Sequence, residues 1–200
     1  MKPAAELIMK YQRIKNMKDY KEYLLETLIS EEDLNNRIAE LGKEISRDYQ
    51  DSNDLLLVCI LRGAVIFLTD LSRKISIPHA IDFMAISSYG AGSRSSSGVV
   101  RITMDLTTNI SNKDVLIVED IIDSGNTLSY VLELLSTRKP KSIKVCALLD
   151  KAERREVDVP ISYTGFKIPN KFVYGYGLDL DEYFRNLPFI GVVDLKKYEN

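Results

Sequence analysis

Chemistry concentrates between Asp114 and Thr127, where the chain reads DVLIVEDIIDSGNT. An apolar run delivers two adjacent carboxylates, Glu119 and Asp120, and Asp123-Ser124-Gly125-Asn126-Thr127 then turns the chain into a second apolar segment. A glycine in such a turn lets backbone amides approach a ligand closely, Ser124 and Thr127 add hydroxyls, and the helix that follows contributes its positive dipole end. These features together cradle a phosphate. Adjacent carboxylates repel that phosphate but accept hydrogen bonds from a cis-diol, so the pairing suits a ribose 5-phosphate. The plainer reading, a surface turn with a solvated acidic pair, leaves unexplained why Glu119, Asp120 and Asp123 follow so directly on an apolar strand. Neither GxxxxGK[ST] nor GxGxxG occurs, so the phosphate turn is of another kind.

The elements that must hold this turn are legible in the pattern. Leu55–Leu61 and Asp114–Ile122 are near-continuous apolar runs, as expected of central strands covered on both faces. Ala80–Ser88, Val99–Leu106, Ser142–Leu149, Ile161–Phe166, Phe172–Tyr176 and Phe189–Val193 complete the predicted strands. Ser30 with Asp33 has the form of a helix capping box, and Leu34, Ile38, Leu41 and Ile45 then mark one face of a helix ending near Tyr49. Further helices are predicted from Val65 to Ile75 and from Leu128 to Leu135. Strand and helix alternate from Leu55 to Leu149, which predicts βαβ units and an α/β fold with an open, mainly parallel twisted sheet flanked by helices. In such sheets ligands bind outside the carboxyl ends of the strands, where Glu119 and Asp120 fall.

Composition bounds the rest. Two hundred residues with 45% hydrophobic and 28% charged side chains describe one globular domain, not a disordered or fibrous chain. The net charge of −2 offers no overall positive field for nucleic acid, and no apolar stretch approaches the ~20 residues that span a bilayer. A single histidine, His79, excludes mechanisms that need several imidazoles, and His79, Cys59 and Cys146 lack zinc-finger spacing. Both cysteines lie in apolar runs and read as buried, reduced thiols; with no secretory signal, the chain reads as cytosolic. The small net charge averages two unlike parts. Residues 1–21 hold six Lys/Arg against two acids, a local +4, which leaves −6 for the remainder. Leu7, Ile8, Tyr11, Ile14 and Met17 recur at helical spacing, so residues 1–24 read as a basic helical extension and 25–200 as one domain.

VLIVEDIIDSGNT resembles the phosphoribosyl-diphosphate signature of type I phosphoribosyltransferases. Leu61-Arg62-Gly63, Ser88-Tyr89-Gly90, Lys151 after LLD, and FVYGYGLDLDEYFRNLPFIGVV at 172–193 resemble the 6-oxopurine branch, the hypoxanthine-guanine phosphoribosyltransferases. The similarity runs from about Ile29 to Val193 in order and spacing. It implies the type I phosphoribosyltransferase fold with a small hood and a mobile active-site loop, and transfer of the phosphoribosyl group of phosphoribosyl diphosphate to N9 of hypoxanthine or guanine in purine salvage.

Carried over residue by residue, the resemblance implies that Glu119 and Asp120 hold the ribose hydroxyls. The 5-phosphate falls to the Asp123, Ser124, Gly125, Asn126 and Thr127 turn. Asp123 becomes the catalytic group near purine N7, in addition to any role in capping the helix it precedes. Lys151 would donate to the 6-oxo oxygen, although one lysine in KAERR is by itself an ordinary solvated charge. Phe172 would stack on the base, the Val173 backbone would read its edge, and Asp179 would lie beside base and metal. Arg62 and Gly63, through backbone amides, and Arg185 would meet diphosphate; the Leu61–Arg62 peptide is cis in some relatives. Magnesium is the implied cofactor, with Glu119, Asp120 and Asp179 its candidate carboxylates. Ser88 and Tyr89 open the mobile loop, whose glycines and serines through Gly98 suit a lid that excludes water. A homodimer or homotetramer is implied, with no nucleic-acid partner and no membrane. Asn126 stands where many relatives carry Lys or Arg, a version seen in hypoxanthine-preferring enzymes. Two other readings stay open: a transferase for xanthine or a pyrimidine, which Lys151 with Phe172 disfavours for pyrimidines, and a non-catalytic sensor of phosphoribosyl diphosphate whose basic arm binds nucleic acid.

Overall fold

The computed structural model describes residues 19–88 and 100–198. After a single 3-10 turn at Tyr20–Glu22 come β1 (Leu24–Ile29), α1 (Glu31–Asp48), β2 (Leu55–Leu61), α2 (Val65–Ser72), β3 (Ala80–Ser88) and β4 (Val100–Met104). They are followed by β5 (Asp114–Ile122), α3 (Asn126–Ser136), β6 (Ser142–Asp150), β7 (Tyr163–Lys167), β8 (Val173–Tyr174), β9 (Ile190–Val193) and α4 (Leu195–Tyr198). The main sheet has the order β4-β3-β2-β5-β6-β7, with only β4 antiparallel to its neighbour. The mainly parallel α/β sheet predicted from the alternation is therefore present.

Alternate residues of the two central strands feed two cores. Leu55, Leu57, Cys59, Leu116 and Val118 pack with Leu34, Ile38, Leu41 and Ile45 of α1 and Phe67, Leu68 and Leu71 of α2. Leu56, Val58, Ile60, Val115 and Ile117 pack with Leu128, Val131 and Leu135 of α3 on the other face. A strand apolar on both faces has no side to turn to water, which explains the unbroken runs in the sequence. The capping box forms as expected: the Ser30 hydroxyl accepts from Asp33 N–H at 3.1 Å and donates to its carboxylate at 2.6 Å.

A second, antiparallel sheet of order β1-β9-β8 forms the hood. Strand β1 was not apparent in the sequence, because LLETLI exposes half of its residues and lacks a clean alternation. The expected Phe172–Tyr176 strand shrinks to Val173–Tyr174, since Gly175, Tyr176 and Gly177 take positive φ. Residues 19–24 belong to this hood: Tyr20 stacks edge-on against Phe189 at 5.7 Å, and Tyr174 donates its hydroxyl hydrogen to the Tyr20 carbonyl. The expected helix through Met17 lies outside the described residues, as does the loop from Tyr89 to Val99. Among the described residues no helix is long and apolar enough to cross a membrane.

Candidate functional site

Strand order reverses direction between β2 and β5: β3 lies on one side of β2, whereas β5 and β6 extend on the other. Such a switch point opens a crevice at the strand carboxyl ends. There β2 delivers Leu61-Arg62-Gly63, with the Leu61–Arg62 peptide cis, and β5 delivers Glu119 and Asp120. The two loops touch. A Cβ on Gly63 would stand 1.5 Å from Asp120 Oδ2, so only glycine leaves that carboxylate its place.

The acid pair is poorly compensated. Burial, then the neighbouring Asp120, pushes the Glu119 carboxyl well above its ordinary range, and its Oε2 is buried without a hydrogen-bond partner among the described residues. Burial raises Asp120 to about 6, even though its Oδ1 accepts from Ile121 N–H at 2.7 Å and Arg185 lies near enough to favour the charged form. Two acids held this way ask for a polar or cationic partner from outside the chain.

The turn after β5 is shaped as a receptor. Gly125, at φ 87°, is the residue before the first turn of α3, and the only side-chain contact to that turn's amides among the described residues is a long one, from Asn126 N–H to the Ser124 hydroxyl at 3.4 Å. Asp123 therefore does not cap the helix, contrary to the expectation; it faces Arg154, whose Nε lies 2.8 Å from Oδ1 as an ion pair without hydrogen-bond alignment. The first-turn amides of α3 that Ser124 leaves free can turn to an anion. From behind, Glu156 and Val157 N–H donate to the Ser124 carbonyl at 2.9 and 3.0 Å, and Asn126 Nδ2 donates to Glu156 Oε2 at 2.8 Å. A Cβ on Gly125 would meet the Val157 carbonyl at 2.4 Å.

Lys151 is no solvated charge. It is buried, its N–H donates to the Ile122 carbonyl at 3.0 Å, and burial lowers its pKa against the opposing pull of Asp123. Asp123, Lys151 and Arg154 thus meet beside the turn after β5. Phe172 is 44% exposed with its ring 6.1 Å from that of Tyr198, while its carbonyl accepts from Val193 N–H at 2.8 Å. Val173 is buried and registered against Val192. Arg185 Nη2 lies 2.9 Å from Asp179 Oδ1, and its Nη1 donates to the Gly177 carbonyl at 2.8 Å. Among the described residues no three acid, histidine or cysteine side chains form a metal-ready group, so Glu119, Asp120 and Asp179 are not gathered into one protein-only ligand set. Ser88 ends β3, and Tyr89 lies outside the described residues.

The sequence reading missed Arg154, Glu156 and Glu182. Arg154 had a faint signal in standing three residues after Lys151; the other two find their partners only through the fold.

A phosphoribosyl transferase domain model matches residues 30–181. The chain belongs to that family. Among its relatives, the hypoxanthine-guanine phosphoribosyltransferase of Mycobacterium avium is 54% identical over 177 residues, covering 86% of this chain and 87% of the relative. The hypoxanthine phosphoribosyltransferase of Salmonella typhimurium is 52% identical over 174 residues, covering 86% and 97%. The crystal structure of a hypoxanthine phosphoribosyltransferase from Staphylococcus aureus superposes with a TM-score of 0.86 at 45% identity, covering 92% of this chain and all of that one. The sheet, hood and switch-point crevice are those of the phosphoribosyltransferase fold.

Proposed function

We propose that this phosphoribosyltransferase moves the 5-phosphoribosyl group of phosphoribosyl diphosphate to N9 of a 6-oxopurine, hypoxanthine with guanine, releasing diphosphate. The observation that carries the reading is the Gly125 turn into α3 at the end of β5, whose amides no carboxylate caps, set directly beside the under-compensated Glu119 and Asp120. The amides and hydroxyls of 123–127 would hold the 5-phosphate, while Glu119 and Asp120 accept hydrogen bonds from the ribose diol. Arg185 and the Arg62-Gly63 backbone would take up the charge that develops on the departing diphosphate. Lys151 would donate to the 6-oxo oxygen and so reject an amino group at that position. Phe172 and Val173 would meet the base, and Asp123 would manage the proton at N7.

Oxygen donors with unspent charge fit a hard divalent cation, and magnesium characteristically takes one or two carboxylates and completes its shell with water and phosphate oxygens. Asp179, with Glu119 and Asp120 behind the diol, would hold it. Magnesium when bound supplies charge neutralisation on the diphosphate oxygens. A homodimer or homotetramer belongs to the same reading and is checked by light scattering. The buried free thiols Cys59 and Cys146 support a reducing, cytosolic setting.

The test is diphosphate release with hypoxanthine, guanine and xanthine, each with and without magnesium. Magnesium-dependent release is expected with hypoxanthine and, less efficiently, with guanine. Release with xanthine alone would overturn the base assignment, and equal efficiency with guanine would refute a hypoxanthine preference. Asp123→Asn should lower kcat by about 10²-fold or more while the affinity for phosphoribosyl diphosphate changes little; an unchanged kcat would remove Asp123 from the chemistry.

A further inference from the structure

One carboxylate in the crevice has no part in the proposed reaction. Glu182 Oε2 lies 2.9 Å from Arg62 Nη1 and 3.3 Å from Arg185 Nη2, so a single oxygen bridges guanidinium groups from two distant segments. Arg185 is assigned to diphosphate through its side chain and Arg62 through its backbone amide, so the Arg62 guanidinium stands at the edge of the same subsite. The position is built rather than incidental. Asp181, Glu182 and Phe184 all have positive φ, at 51°, 75° and 65°. The Glu182 N–H donates to Asp179 Oδ2 at 2.8 Å, and Leu180 bridges to Tyr183 across the tight turn. Side chains other than glycine seldom adopt this backbone region, and three within four residues aim Glu182 back toward the arginines.

We infer that Glu182 is a positioning residue acting as an internal stand-in for diphosphate: it keeps Arg62 and Arg185 converged when no anion is bound and must leave when one arrives. The inference rests on the reading of Arg62 and Arg185 as diphosphate-facing. Exposure sets the strength of the stand-in. The Arg62 and Glu182 side chains are 71% and 57% exposed, so the ion pair is weak and easily exchanged, whereas a buried one would lock the site. Diphosphate offers several oxygens and more charge, and it can engage both guanidinium groups bidentately where Glu182 offers one shared oxygen. Glu182 therefore taxes the binding of diphosphate-bearing ligands and helps to expel the product. The nucleoside monophosphate, bound by the turn after β5, is outside its reach.

Calorimetric titration of magnesium diphosphate and of inosine monophosphate into wild type, E182Q, E182N and R185Q tests this. Asparagine tolerates positive φ, so E182N removes the charge without burdening the turn if E182Q folds poorly. Both Glu182 variants should bind diphosphate roughly threefold to tenfold more tightly, with the KM for phosphoribosyl diphosphate falling in step and inosine monophosphate affinity unchanged. A purely structural ion pair would instead lower the melting temperature and leave diphosphate affinity where it was. That result, or weaker binding in both variants while R185Q also weakens it, overturns the stand-in. R185Q without effect on diphosphate would instead overturn the reading of the diphosphate site itself.

Discussion

Strand β5 carries acids at both ends, and the two ends are treated in opposite ways. At its start, Asp114 accepts from the Ser52 hydroxyl at 2.7 Å, the Ser142 hydroxyl at 2.7 Å and Lys141 Nζ at 2.9 Å. Burial alone would raise its pKa, but these donors outweigh that and hold it below the ordinary carboxylate range. At its finish, Glu119 and Asp120 are pushed upward by burial, and Glu119 keeps an orphaned oxygen. The same strand supplies both environments, so the difference lies in the neighbours. The start is closed by loops that bring hydroxyls; the finish opens on the crevice, where donors must come from a ligand. One end is built for stability, and the other stores an unmet demand, which on the proposed reading substrate would satisfy.

The sharpest way to break this comparison is Asp120→Asn. Catalytic efficiency should fall on the order of 10²-fold, as expected for losing the charge-assisted acceptor proposed for the ribose diol. The ligand-free protein should nonetheless become more stable at pH 7.5, by about 2 kcal/mol once solvent screening is allowed for. Thermal melts beside steady-state kinetics check both; a destabilised variant would contradict the picture of stored demand. Next in size, Asp114→Ala should cost about 2 kcal/mol, since it leaves the part-buried Ser52 and Ser142 hydroxyls without their acceptor, and kcat/KM should stay within about twofold at temperatures where the variant is folded. A large kinetic defect would mean that the two ends are not independent.

The pH dependence follows from the opposite signs. Asp120 has a raised folded pKa, so the folded state binds the extra proton first; its contribution to ligand-free stability is fully present below about pH 4 and is lost as pH rises through about 6. Asp114 is depressed, so its contribution is present above about pH 4 and is lost as pH falls through its lower folded value. Denaturant midpoints from pH 8 to pH 3 should show the wild type gaining in ligand-free stability, relative to Asp120→Asn, on acidification through 6. Asp114→Ala should erase part of the acid-side fall. The smallest effect belongs to Arg154→Gln. Its pair with Asp123 is 46% and 44% exposed, so kcat should drop only about twofold to fivefold; a larger loss would promote Arg154 to a direct role.

Legibility in the sequence divides along a similar line. Strands β2 and β5 and the turn after β5 could be read because burial on both faces forces apolar runs, and because a phosphate turn needs glycine and hydroxyls at fixed spacing. Lys151 could be placed only by resemblance: its charged flanks suggest solvent, and its burial comes from packing that no local pattern encodes. The hood strand β1 escaped because Glu26 and Thr27 interrupt it and its partner β9 lies at the far end of the chain. Glu182 escaped for the same reason, since its contact with Arg62 spans 120 residues.

The Ser124 carbonyl, clasped by the amides of Glu156 and Val157, together with the Lys151 N–H on the Ile122 carbonyl, ties the turn after β5, the proposed phosphate site, to the segment that carries Lys151, the proposed base-facing lysine. The two stretches, 122–127 and 150–157, are therefore a single interchangeable cassette. Retuning base choice by exchanging one of them with a relative would leave a mismatched clasp, whereas exchanging both together would carry the phosphate geometry along with the new preference.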